Sequence, residues 1–108
     1  MSRASFQLHN MAEPAGSGRP VEVAVSGEVD VTNADNFGQS VTELTGAAPV
    51  ILELSRLHYL DSAGFAALDR LLKLGVVLVV SEQSPIRRAA ELMQLPFHRD
   101  VEAARRAC

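Results

Sequence analysis

Pro49-Val50-Ile51-Leu52-Glu53-Leu54 is a nearly continuous apolar run opened by a proline. A strand with one wet face alternates apolar and polar residues. This stretch does not, so it suits a strand covered on both faces, central in a sheet with helices around it. Toward the C-terminus, Arg56 to Leu60 reads as a connection. Ser62 to Leu74 reads as a helix, with Leu68, Leu71 and Leu72 facing in and Gly75 as its stop. Val76-Val77-Leu78-Val79-Val80 repeats the pattern of a buried strand. Ser84-Pro85 has the form of a cap followed by a first-turn proline. The helix it opens carries Ile86, Ala89, Ala90 and Met93 on its inner face and Arg87, Arg88 and Glu91 on its outer one, and Pro96 ends it. Phe97-His98 adds a short edge strand, and Val101 to Arg106 a last short helix.

Toward the N-terminus, Val21, Val23 and Val25 share one face of a strand from Val21 to Ser26, which Gly27-Glu28-Val29-Asp30 ends. Thr32 is placed to cap a helix, with Asp35 three positions later in a capping-box-like pattern. Ala34, Phe37, Val41 and Leu44 form its apolar stripe, and Gly46 stops it. Ser5 to His9 alternates, with Phe6 and Leu8 on one face, and pairs as a hairpin with the Val21 strand. Residues 1–4 form a tail, and residues 10–20, rich in Pro, Gly, Ala and Ser, form a long loop whose tip is expected to be mobile. Strands alternating with helices imply right-handed crossovers. The expected fold is α/β, with residues 1–108 as one domain: a mixed, mostly parallel sheet of four to five strands with helices packed on it.

The composition agrees with one small globular domain. The chain has 108 residues, 47% hydrophobic and 21% charged, enough to bury a core without disulfides or metal. Ten basic against thirteen acidic residues leave a net charge of -3, which argues against a nucleic-acid partner. The single cysteine, Cys108, cannot pair within the chain, and a lone thiol fits a reducing compartment. His9, His58 and His98 are not at metal-ligand spacing, so no metal site is expected. No apolar run approaches the roughly 20 residues of a membrane helix. Met1 to Gln7 lacks the apolar core of a signal peptide. The expectation is a cytoplasmic protein without a membrane partner, monomeric when free.

Enzyme signatures are scarce. There is no GxGxxG, P-loop, GxSxG or HExxH. A serine nucleophile needs a positioned base, and nothing in the sequence brings the ring of His58 back to Ser62. The segment that asks for an explanation is Leu57-His58-Tyr59-Leu60-Asp61-Ser62-Ala63-Gly64-Phe65. It sets a serine at the first turn of a helix that follows a central strand. Helix capping accounts for the Asp-Ser pair. It does not account for Gly64, where a small residue lets another backbone approach closely. Ala66, Asp69 and Lys73 follow Ser62 along one face by i+3 and i+4 steps, giving a small, polar stripe headed by the serine.

Asp61-Ser62-Ala63-Gly64, after the strand Val50–Leu54, resembles the Asp-Ser-x-Gly signature of STAS domains, and more narrowly is similar to that of bacterial anti-sigma factor antagonists. Gly27-Glu28-Val29-Asp30 with Thr32-Asn33-Ala34 is similar to the family's first loop and helix start. Ser84-Pro85 and Leu95-Pro96-Phe97 match its third helix and exit. The resemblance runs from Phe6 to Ala104, with the motifs in the family's order. There are two departures. Glu53 stands where many relatives have Asp, and the stretch from Leu72 to Val76 is about one helical turn short, with Lys73-Leu74-Gly75 passing directly into the strand.

The resemblance implies a switch rather than a catalyst. An antagonist binds an anti-sigma factor that is also a serine kinase, and so frees a sigma factor. The kinase binds ATP and Mg, leaving the antagonist without a cofactor of its own. It phosphorylates the signature serine, here Ser62; the modified form lets go, and a serine phosphatase restores it. The implied contact surface is Asp30, Thr32, Asn33, Asp61, Ala63, Gly64, Phe65, Ala66 and Asp69 around Ser62. The alternative is a constitutive STAS subunit of a lipid-transport ABC complex or of a stress-signalling scaffold, which would bind without regard to Ser62. The physics suits the switch. A phosphate adds about -1.5 to -2 charges. A helix N-terminus tolerates that charge. A 100-fold loss of affinity needs only about 2.7 kcal/mol, less than burying an unpaired charge can cost.

Overall fold

The computed structural model describes residues 4–11, 19–46 and 48–108, so most of the expected 10–20 loop and of the 1–4 tail lies outside the described residues. The elements run β1 (Phe6–Asn10), β2 (Val21–Val29), α1 (Ala34–Thr42), β3 (Val50–Leu60), α2 (Ser62–Lys73), β4 (Val77–Val79), α3 (Arg87–Leu92) and α4 (Val101–Ala107). The sheet has four strands in the order β1-β2-β3-β4. β1 is antiparallel to β2, and β2, β3 and β4 are parallel. The mixed, mostly parallel α/β sheet expected from the run at Val50 is the fold observed. The expected edge strand at Phe97-His98 is reduced to one parallel bridge between Val79 and His98.

The reason for the nearly continuous apolar run in β3 is two unequal cores. Val50, Leu52 and Leu54 point into the larger one, with Phe37 and Val41 of α1, Leu68 and Leu71 of α2, and Ile86 ahead of α3. Ile51 points the other way and, with Val79, is covered by Ala104 of α4. The Phe6 and Phe37 rings meet edge-on, 5.4 Å between centroids. Glu22, only 5% exposed, holds α4 to β2 through a two-pronged ion pair with Arg105, whose Nη2 donates to Oε1 at 2.7 Å.

Two strands are longer than expected. β3 continues through Arg56–Leu60, read from the sequence as a connection, and β2 continues through Gly27 to Val29. β3 carries two bulges against β2: Ala24 and Ser26 pair with Glu53 and Arg56, and Gly27 and Glu28 with Leu57 and Tyr59. Each bulge adds one residue and turns the inward spacing from two to three. Leu54, Leu57 and Leu60 are therefore all buried although no period-two pattern joins them. Glu53 stitches the first bulge: its carboxylate accepts from the N–H of Ser55 at 2.8 Å and from its hydroxyl. Gly27 takes φ +98°, and a Cβ there would lie 2.2 Å from the Ser5 carbonyl oxygen.

The helices also depart from expectation at their ends. α2 closes in a Schellman turn, with Gly75 at φ +91° and the Val76 N–H bonded to the Leu71 carbonyl at 3.1 Å. That turn lets Lys73-Leu74-Gly75 pass into β4 without another helical turn. α3 begins at Arg87, because Ser84 and Pro85 form a preceding turn in which the Ser84 carbonyl accepts from Arg87 N–H at 3.1 Å. α3 then ends at Leu92, so Met93 falls past it and is 55% exposed rather than facing in. Leu72 is half-buried, not fully inside.

Candidate functional site

Val29 and Leu60 are register partners, so β2 and β3 end side by side. The two connections that follow, Asp30–Asn33 and Asp61, therefore emerge together at the C-terminal edge of the sheet. Of the Asp-Ser pair, it is Asp61 that caps α2. Its backbone is extended (φ -95°, ψ -172°), its Oδ1 accepts from Gly64 N–H at 3.0 Å, and its carbonyl accepts from Phe65 N–H at 2.9 Å. The other carboxylate oxygen, Oδ2, accepts from the Val31 N–H in the neighbouring connection at 3.1 Å. One side chain thus closes a helix end and ties two loops together.

The Asp30–Asn33 loop is braced from within. Asp30 Oδ1 accepts from both the N–H of Thr32, at 2.8 Å, and its hydroxyl. The Thr32 hydroxyl, then its amide, hold the Asp30 carboxyl below the usual range, so Asp30 is ionised in neutral solution. Thr32 is committed to that bond and does not cap α1, which begins after Asn33. Asn33 is buried; its Oδ1 accepts from Asp30 N–H at 2.9 Å and its Nδ2 donates to the Glu28 carbonyl at 3.0 Å.

Ser62 occupies the first position of α2 and is exposed. Ala66, Asp69 and Lys73 are exposed on the same stripe, with Lys73 Nζ 3.4 Å from Asp69. Ala63 is half-buried. Besides the buried Asn33, two more of the expected contact residues face the interior instead. Gly64 is buried, and a Cβ there would meet Leu60 Cδ1 at 2.2 Å and the Val29 carbonyl oxygen at 3.1 Å. The close approach that Gly64 permits is made by this chain's own β2 and β3. Phe65 is 7% exposed and belongs to the main core. What the sequence did not reveal is a shallow groove beside Ser62, bounded by Phe65, Ala89, Leu92 and Met93. Leu92 is 76% exposed there. Nothing in the helical periodicity distinguishes an apolar residue left outside by an early helix end from one packed within.

The STAS domain family model matches residues 12–103. The chain belongs to the STAS domain family. Solved structures with the same fold include an anti-sigma factor antagonist from Mycobacterium paratuberculosis, with TM-score 0.75 and 21% identity over 95% of this chain and 93% of that one. The anti-sigma factor antagonist SpoIIAA in its unphosphorylated form gives TM-score 0.63 and 22% identity over 95% and 96%. An antisigma-factor antagonist STAS domain from Rhodobacter sphaeroides gives 0.57 and 20% over 80% and 92%. Among the described residues of this STAS domain, no helix is long and apolar enough to cross a membrane.

Proposed function

We propose that this STAS domain is an anti-sigma factor antagonist, a binding protein rather than an enzyme, that docks on an anti-sigma factor and is switched off by phosphorylation of Ser62. The observation that carries the reading is the placement of Ser62. It is exposed at the first position of α2, beside a braced acidic loop, and the cap that α2 needs is supplied by Asp61 instead. A hydroxyl without a structural duty is free to be modified. The similar structures of anti-sigma factor antagonists, one of them in an unphosphorylated form, support the same reading.

In this scheme the partner is an anti-sigma factor with serine kinase activity, and it supplies ATP and Mg. The Ser62 oxygen attacks the γ-phosphorus, the bond to ADP breaks, and the hydroxyl proton passes to a base on the kinase. A serine phosphatase reverses the step. Asp30, Thr32, Ala63, Ala66 and Asp69 would touch the partner. Asn33, Asp61, Gly64 and Phe65 would shape that surface from beneath, through the bonds and packing described above.

The test is intact mass of the purified protein after incubation with Mg-ATP and extract of its own cells, beside Ser62→Ala. One added phosphate on the parent and none on the variant is the expected result. No phosphate on either, with a partner stably co-purified, would replace the switch with a constitutive subunit.

A further inference from the structure

Among the described residues and apart from backbone pairing, one side-chain hydrogen bond joins the Asp30–Asn33 loop to the Ser62 side of the site. The bonds of Asp30 with Thr32 and Asn33, and of Asn33 with Glu28, all stay within the loop and its own strand. The bond from Val31 N–H to Asp61 Oδ2 crosses to residues 30 positions away. We propose that Asp61 is a positioning residue that couples Ser62 to this loop: a phosphoryl group on Ser62 repels the Asp61 carboxylate and releases Val31. The inference rests on Ser62 being the modified residue, and it concerns what the modification does to this chain before any partner is present.

The two ends of the clamp are not equivalent. Oδ1 accepts from Gly64 within the first turn of α2, where the helix dipole favours a carboxylate and the backbone of Asp61 is already fixed by its carbonyl bond to Phe65. Oδ2 accepts from Val31, which is 75% exposed and loses little packing by moving. A phosphoryl group on the next residue carries about -1.5 to -2 charges. The unbonded N–H groups of the first turn hold it at the tip of α2, so it stays beside Asp61. Like charges this close repel, and the weaker end of the clamp yields first. The loop that presents Asp30 and Thr32 is then untied while the core strands and the α2 cap stay in place.

The experiment needs neither kinase nor partner. Phosphoserine is incorporated at position 62 during synthesis, and backbone amide exchange and shifts are followed by NMR beside Ser62→Ala and Asp61→Asn. An asparagine offers one oxygen, enough to cap Gly64, while its NH2 group cannot accept from Val31. Exchange at Val31 should speed up several-fold in Asp61→Asn and in the phosphoserine protein. Exchange at Gly64 should stay slow in both, and Ser62→Ala should match the parent. Val31 exchange unchanged in the phosphoserine protein, or unchanged in Asp61→Asn, would overturn the coupling. Because the phosphate is installed directly, that failure is distinct from failure of the antagonist reading, which shows itself as absence of a kinase that modifies Ser62.

Discussion

Gly64 and Ser62 divide between them what the Asp-Ser-x-Gly motif does. Gly64 is structural: the space a Cβ would need is filled by Leu60 and the Val29 carbonyl, one a side chain that can give way and the other backbone that cannot. Gly64→Ala should cost about 1–3 kcal/mol, as overpacking does. Ser62→Ala should change stability by no more than about 0.5 kcal/mol, as at an ordinary surface position. Urea unfolding of the two variants side by side checks the contrast. An equal loss in both would mean that Ser62 is a structural cap after all. The sequence set Gly64 apart from capping but could not tell which of Asp61 and Ser62 caps α2, because Asp and Ser are equally good caps and the extended backbone of Asp61 decides it.

The elements show where pattern reading works and where it stops. β4 and the first half of β3 were legible because burial on both faces leaves an unmistakable composition. The second half of β3 was not, because its bulges space Leu54, Leu57 and Leu60 three apart, a rhythm that belongs to no regular strand. The helix at α3 was legible, but its ends were not: its turn at Ser84 and early stop at Leu92 are decided by backbone bonds, not by apolar period. α4 was foreseen as a helix, but its attachment was not, since nothing local pairs Glu22 with Arg105. That pair sets an acid limit. The hydrogen bonds from Arg105 lower the Glu22 carboxyl below its ordinary range, outweighing the opposing effect of burial. A group depressed on folding contributes stability above its unfolded value, about pH 4.3, and the contribution is lost as pH falls through the folded value. Arg105→Ala should therefore destabilise at pH 7, because it leaves the Glu22 carboxylate without its partner. The gap from the parent should narrow in acid below about pH 4, as thermal unfolding across that range would show.

Across the whole molecule, the two cores differ in size, and local stability should follow. The larger joins α1, α2 and the inner faces of β2 and β3. The smaller consists of Ile51, Val79 and Ala104 with Val77 and Val101 beside them. Opening α4 exposes little apolar surface, so its amides should exchange well before those of β2 and β3, the slowest in the chain. Mass-resolved hydrogen exchange checks the order, and equal protection of α4 and β3 would show that the small core is not a separate unit. The fold class needed only composition and alternation. The candidate site needed the register that sets Val29 beside Leu60, which no local pattern encodes.

The Glu22–Arg105 bond spans 83 residues, and that distance is also an interval of time. Chains are made from the N-terminus at about 5–20 residues per second, and folding begins before synthesis ends. Glu22 therefore emerges several seconds ahead of Arg105, the charge that balances it, while β2, β3 and β4 become available to pair. A nascent sheet at that stage carries a carboxylate in the place α4 will cover and cannot close over it. The docking of α4, which brings Arg105 to Glu22, is therefore expected late in the folding of the newborn domain.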